Sequence, residues 1–372
     1  MSDRIFVSSR KGVFTIERRG PRQWRVGRAA FLGDNSPMLM HDSRDGCLYA
    51  ALGHGHFGVK MHRSNDGGVT WEEIAVPTYP PKPEGIPDTI NPVNQKPVPW
   101  SLELIWSLET GGPDEPGVLW CGTIPGGLFR STDRGASWNL VRPLWDHPKR
   151  AEWFGGGAEL PGIHSICVDP RDARRIAVGV SCGGVWLSED GGETWNCRAD
   201  GMRAAYMPPE RAFDPHIQDP HCMVQCRSRP TTCWAQHHNG IFRSTDDLKS
   251  WHEIKAAQPS AFGFGVSVHP FNPDTAWFVP GISDEKRIPV DGKLVVSRTR
   301  DGGKSFDVLR DGLPQEHAYD LTFRHALDID ATGDRLAFGT TTGALFVSEN
   351  QGDSWQCVSA HLPPIYCVRF AK

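Results

Sequence analysis

A single seven-bladed β-propeller, an all-β ring of four-stranded blades, is the fold this sequence predicts. Three observations predict it: an eight-residue turn motif recurs along the chain, its copies are spaced by about 50 residues, and the two chain ends each carry part of one blade. Ser64-Asn65-Asp66-Gly67-Gly68-Val69-Thr70-Trp71 returns as Ser131-Thr132-Asp133-Arg134-Gly135-Ala136-Ser137-Trp138 and as Ser188-Glu189-Asp190-Gly191-Gly192-Glu193-Thr194-Trp195. Weaker copies end at Trp251, Phe306 and Trp355; Leu248 replaces the second glycine in the first of these, and Asn350 the aspartate in the last. A seventh, eroded copy ends at Trp24.

Each copy follows a short β-rich run, such as Gly184-Val185-Trp186-Leu187, and leads into another, so it reads as a hairpin turn. The aspartate can accept backbone N–H groups inside its own turn, and the glycines can take positive φ. Asp66, Asp133, Asp190 and Asp301 are therefore structural, because copies spread around a ring cannot converge on one substrate. Upstream of the third copy, Ile163–Asp169 and Ile176–Val180 read as two further strands around a Pro170-Arg171-Asp172 turn. Ile365–Phe370 reads as an innermost strand lacking its blade, and residues 4–26 as a blade lacking its innermost strand. Joining them closes the ring and removes its open edges. The whole chain, 1–372, is then one domain.

Composition excludes several classes. Lys+Arg (40) against Asp+Glu (44) leaves a net charge of −4, so no nucleic-acid partner is expected. No run approaches the roughly 18 apolar residues of a membrane helix, so no membrane partner is expected. The start, Met1-Ser2-Asp3-Arg4-Ile5-Phe6, lacks the apolar region of a signal peptide, which makes the cytoplasm the expected location. Most of the ten cysteines lie in apolar runs and read as reduced, buried thiols.

The eight-residue motifs resemble the Asp-box, or BNR, repeat of sialidases, sortilin-type receptors, xyloglucan-cleaving glycosidases and photosystem II assembly propellers. Over nearly its whole length the chain is similar to a bacterial group of sialidase-like BNR-repeat proteins, most of them functionally unassigned. Pro161-Gly162-Ile163-His164-Ser165-Ile166, Gln218-Asp219-Pro220-His221, Gln236-His237-His238-Asn239-Gly240 and Asp320–Leu327 carry that likeness, as does Arg298–Gly303. A sialidase needs three arginines around the substrate carboxylate, and its Arg-Ile-Pro signature precedes the first Asp box. Here Arg287-Ile288-Pro289 sits in the sixth unit, so sialic acid hydrolysis is not expected.

Blade topology puts the motif turns on one face. The starts of the innermost strands and all the long insertions, at about 76–100, 143–162, 198–220 and 279–293, lie on the other. Aligning innermost strands places His164, His221 and His325 at one equivalent entry position, with Phe264 there in the sixth unit and Pro364 at the closure. Three imidazoles converging on the axis would hold a divalent metal (Zn, Fe, Cu or Mn), with Glu103 as a further ligand or general base. Each histidine could equally hydrogen-bond the backbone of a neighbouring blade. Cys222 and Cys226, with Cys233 nearby, do not make a zinc site, since an i, i+4 spacing along a strand separates the sulfurs by about 13 Å.

The function read from this arrangement is a metal-assisted hydrolase or lyase for a small polar, sugar-derived substrate. His237 and His238 would serve as acid/base groups. His54, His56 and Gln236 would contact substrate from the rim, Arg287 would meet an anionic group, and Trp153 would stack on the ligand. Two alternatives stand beside it: a metal-free glycosidase using paired carboxylates among Glu152, Glu159, Asp214 and Asp219, and a non-enzymatic propeller that binds a partner protein.

Overall fold

A computed structural model describes residues 1–156 and 158–371. Seven four-stranded antiparallel sheets follow one another around a ring. Blade 1 is closed by the two ends of the chain: Ile365–Phe370 is its innermost strand and pairs with Arg4–Ser9, Val368 facing Val7 and Cys367 facing Ser8. Blades 2 to 7 are contiguous in sequence. In blade 4, for example, Ile163–Val168, Ile176–Val180, Gly184–Ser188 and Asn196–Cys197 run outward from the axis in order. The ring thus leaves no inner strand unpaired, as the split of the terminal blade requires.

The repeated turn is a closed hydrogen-bond unit. In blade 4, Asp190 Oδ1 accepts the N–H groups of Glu193 (3.0 Å) and Thr194 (2.9 Å), and Oδ2 accepts the Thr194 hydroxyl at 2.6 Å. Ser188 Oγ donates to Asp190 and accepts the Gly192 N–H, each at 2.8 Å. These bonds, those from Thr194 foremost, bring the Asp190 carboxyl down to about 2. At the position of Gly192, blade 5 places Leu248, which takes φ 66° and is 3% exposed. Burying its side chain offsets a conformation that costs an L-residue about 1–2 kcal/mol.

The aromatic ending each turn joins its blade to the one before. Trp138 Nε1 donates to Ala75 O at 3.0 Å and Trp251 Nε1 to Arg198 O at 2.8 Å. Between blades 3 and 4 the core is Trp120 and Leu128 against Ile163, Ile176, Val178, Trp186 and Trp195. Inner faces of neighbouring blades therefore pack as one continuous apolar ring. No disulfide joins the ten cysteines; Cys357 is exposed and the others are buried or half-buried. Among the described residues no helix is long and apolar enough to cross a membrane. The segment 76–100 contributes only the bridge between Ile90 and Pro97, which agrees with its eight prolines.

Candidate functional site

The innermost strands share one irregularity. Pairing breaks register at Trp106 in blade 3, His164 in blade 4 and His221 in blade 5. It also breaks at Phe264-Gly265 in blade 6 and opposite Tyr366 in blade 1. A bulged residue is freed from the ladder and its side chain is re-aimed. In blade 7 the equivalent residue is His325, just before Ala326, whose carbonyl accepts the Gly339 N–H. The closure position is Tyr366, not the expected Pro364, and blade 3, where Trp100 and Trp106 leave the sequence register open, supplies Trp106, so Glu103 is not a ligand beside the histidines. Glu103 precedes its strand, is exposed, and donates its backbone N–H to Ile124 O.

The three aligned histidines do not form one metal site; among the described residues their ring nitrogens make no common ligand cluster. His164 Nδ1 lies 2.8 Å from Ser165 Oγ, and His221 Nδ1 lies 2.7 Å from Gly263 O in the next blade. One nitrogen of His325 engages the Trp106 backbone. Burial is the main reason all three titrate below an ordinary histidine. The bulges turn the rings of His221 and His325 towards main chain of a neighbouring blade, whereas His164 meets the side chain of Ser165 in its own strand.

His221 instead joins Asp219 and His238. Asp219 Oδ2 lies 3.5 Å from His221 Nε2 and 3.5 Å from His238 Nδ1. Asp219 Oδ1 accepts Ser181 Oγ at 3.1 Å and the Cys182 N–H at 3.0 Å. Cys182 reaches this position with φ 48°, an uncommon conformation for a non-glycine residue, placed here at the cluster. The backbone at Gly156 lies so close that a Cβ there would sit 2.8 Å from Asp219 Oδ2 and 2.7 Å from Cys182 Sγ. Asp219 is 2% exposed. Burial alone would raise its carboxyl, but the neighbouring imidazoles of His221 and His238 and the charge of Arg324 hold it well below the carboxylate range. Burial likewise opposes the charged form of His238, yet the neighbouring Asp219 carboxylate, helped by Asp284, raises it above 6.5. His238 is half-buried, with Tyr206 at 5.0 Å and His221 at 5.5 Å between ring centres.

Other expected site residues separate into near and remote. Arg287 belongs to this mouth: its guanidinium lies 5.3 Å from the Phe264 ring centre, pairs with Asp284, and its charge acts on His238. His237 does not serve as an acid/base group. It is fully buried, its Nε2 meets the Asp219 N–H and its Nδ1 the Asn239 N–H, and burial pushes it down to about 3. Gln236 is 1% exposed and spends its amide on the carbonyls of His237, Gly240 and Ala261, clamping the loop rather than facing a ligand.

Trp153 is 1% exposed and packs on Trp186, so it has no free face on which to stack a substrate. His54, 3.7 Å from Asp34, acts on His62 and Glu73 in the outer half of blade 2, and His56 is exposed beside Phe57. Among the suggested carboxylates, Glu159 is exposed near Lys96. Glu152 and Asp214 do approach one another, with His216, but Lys149 and Arg211 pair with them. Asp214 is held low by Arg211 and the His216 N–H despite burial, which is wrong for a glycosidic acid.

Arg324 and Trp106 were missed. Arg324 precedes the aligned His325, and a charge at the entrance of an innermost strand was its one visible signal. Its guanidinium lies 4.6 Å from the Trp106 ring centre and 5.2 Å from that of Phe264.

No family model matches the chain. A xyloglucanase of Acetivibrio thermocellus is 36% identical over 76 residues, 19% of this chain and 8% of that protein. The matched segments span less than a tenth of the length of the curated relatives. Among solved structures, a GH74 xyloglucanase from Xanthomonas campestris superposes with a TM-score of 0.62 at 19% identity, covering 96% of this chain and 53% of the other. YCF48 from Cyanidioschyzon merolae superposes with a TM-score of 0.53 at 12% identity, covering 87% and 84%. What these likenesses share with the chain is the propeller of four-stranded blades.

Proposed function

We propose that this chain is a hydrolase for a sugar-derived substrate, working at the loop-face mouth of the ring with a divalent metal held by Asp219, His221 and His238. One observation carries the reading: a single buried carboxylate oxygen stands 3.5 Å from two imidazole nitrogens. That distance is long for a hydrogen bond to a charged acceptor. It is close to the roughly 3.3–3.4 Å between ligands of a tetrahedral site with bonds of about 2.0–2.1 Å. Ser181, Cys182 and Gly263 supply the outer hydrogen bonds that orient such ligands.

Zn, Mn, Fe and Cu all suit this mixed nitrogen and oxygen donor set. Bound there, the metal would activate water or polarise a substrate oxygen. Arg287, over the Phe264 ring at the same mouth, would contact the substrate. The sugar class is supported by the xyloglucanases among the relatives and structural neighbours. Membership of the sialidase-like Asp-box group is supported by the hydrogen-bonded geometry of the repeated turns. Unpaired thiols fit a reducing, cytoplasmic setting.

The test is metal analysis of protein purified without chelator, followed by assays on a panel of glycosides and oligosaccharides. About one metal per chain, hydrolysis that disappears with chelator, and loss of both in Asp219→Asn are expected. Hydrolysis by metal-free protein would replace the metal with an Asp219–His238 acid/base pair. A chain that takes up no metal and cleaves nothing on the panel overturns the reading.

A further inference from the structure

An axial cavity of about 580 Å³ runs from the level of His164, Arg324 and His325 to the strand-end turns around Gly112, Pro170 and Pro270. Arg324 is 8% exposed, and its Nε and Nη2 are buried with no hydrogen-bond partner among the described residues. The flanking rings of Trp106 and Phe264 receive its positive faces but offer no acceptor to the N–H edge. Burial lowers the affinity of Arg324 for its proton, but a guanidinium stays charged in a protein. A buried, incompletely bonded cation destabilises the fold, and its persistence calls for a compensating ligand.

A second orphan donor faces the same cavity. Ser165 Oγ accepts the Met223 N–H at 2.9 Å and lies 2.8 Å from His164 Nδ1, so the hydroxyl proton is free to go to Nδ1. That leaves the proton of a neutral His164 on Nε2, which is buried and has no partner. The Nε2 atom of His325 is buried and unpartnered as well.

We infer that the axial cavity is a carboxylate-binding site in which Arg324 takes the acid group of a small sugar acid or hydroxy acid. A guanidinium fork fits a planar carboxylate through two parallel hydrogen bonds, and His164 stands in the wall of the same cavity. Besides Arg324 the cavity wall carries Arg44, Arg227 and Arg369 against Glu109, Asp328 and Asp330, and this near balance favours a singly charged carboxylate over a phosphate dianion. The volume suits a monosaccharide-sized ligand. Asp219 and His238 do not line this cavity. The charge of Asp219 still acts on Arg324, but the inference needs no metal and is testable without one.

The experiment is calorimetric titration of chelator-treated protein with D-glucuronate, inorganic phosphate and D-glucose, repeated on Arg324→Met and Arg324→Lys. Arginine Nε–H resonances of the wild type are followed in parallel, so that a poorly folding variant does not decide the matter. Glucuronate should bind, glucose should not, and phosphate should bind more weakly. Arg324→Met should weaken glucuronate binding at least about tenfold, with a smaller loss for Arg324→Lys. Absence of glucuronate binding, tighter binding of phosphate, unchanged affinity in Arg324→Met, or an unperturbed arginine spectrum would each overturn the inference.

Discussion

Asp219 and His238 meet through both main chain and side chain. The His238 backbone N–H donates to Asp219 O at 3.0 Å, while its ring Nδ1 stands 3.5 Å from Asp219 Oδ2. The main-chain bond fixes the loop between the second and third strands of blade 5 against the entry of that blade's innermost strand. The side-chain approach then follows from the turn.

Metal content should separate the histidines by geometry. His221→Ala and His238→Ala should lose the metal, whereas His164→Ala and His325→Ala should keep it, as read by elemental analysis of folded protein. Loss in all four variants would restore a site shared among the three aligned histidines.

In metal-free protein, the His238 ring followed by NMR should titrate above 6.5, since Asp219 outweighs its burial. Asp219→Asn should move it down, because burial and the Arg287 charge then oppose Asp284 alone. A group whose folded pKa is raised stabilises fully below its unfolded value. The His238 contribution should therefore be complete below about pH 6.5 and disappear as pH rises through the folded value.

Asp219 has the opposite sign. Its folded carboxyl is depressed, so its contribution is present above the unfolded value near 3.8 and is lost as pH falls through the folded one. Asp219→Ala should cost about 2–4 kcal/mol at neutral pH, measured by urea unfolding, because it strips partners from Ser181, Cys182 and two imidazoles.

Trp153→Ala should destabilise the chain by about 3–5 kcal/mol in the same measurement, as for a buried core aromatic. A small change in stability with weakened ligand binding would return Trp153 to the substrate.

Ser188→Ala, which removes the hydroxyl linking Asp190 to the Gly192 N–H, should cost about 1–2 kcal/mol. Metal content and hydrolysis should not change, because the turn lies on the face opposite the Asp219 cluster.

Legibility in the sequence followed the range of the interactions. The turn around Asp190 closes within eight residues, and each blade is a local meander, so period and motif were enough to draw the ring. The alignment of His164, His221 and His325 was also readable, because it repeats with the blade. Where their nitrogens point was not, since Gly263 O and the Trp106 backbone belong to neighbouring blades. The register of blade 3 stayed open because Trp106, an aromatic near Trp100, gave no sign of the bulge, and so Glu103 near the strand start was read as a ligand.

The sequence alone determined the number of blades, the closure of the ring through Ile365–Phe370 and the face that carries the long loops. Backbone pairing and turn hydrogen bonds are local or periodic, and so leave a pattern along the chain. Only the tertiary structure decided that Asp219 stands between His221 and His238 and that Arg324 enters the axis without a partner. Those placements depend on strand bulges and on which side chains cross from one blade to the next, contacts that no spacing along the chain encodes.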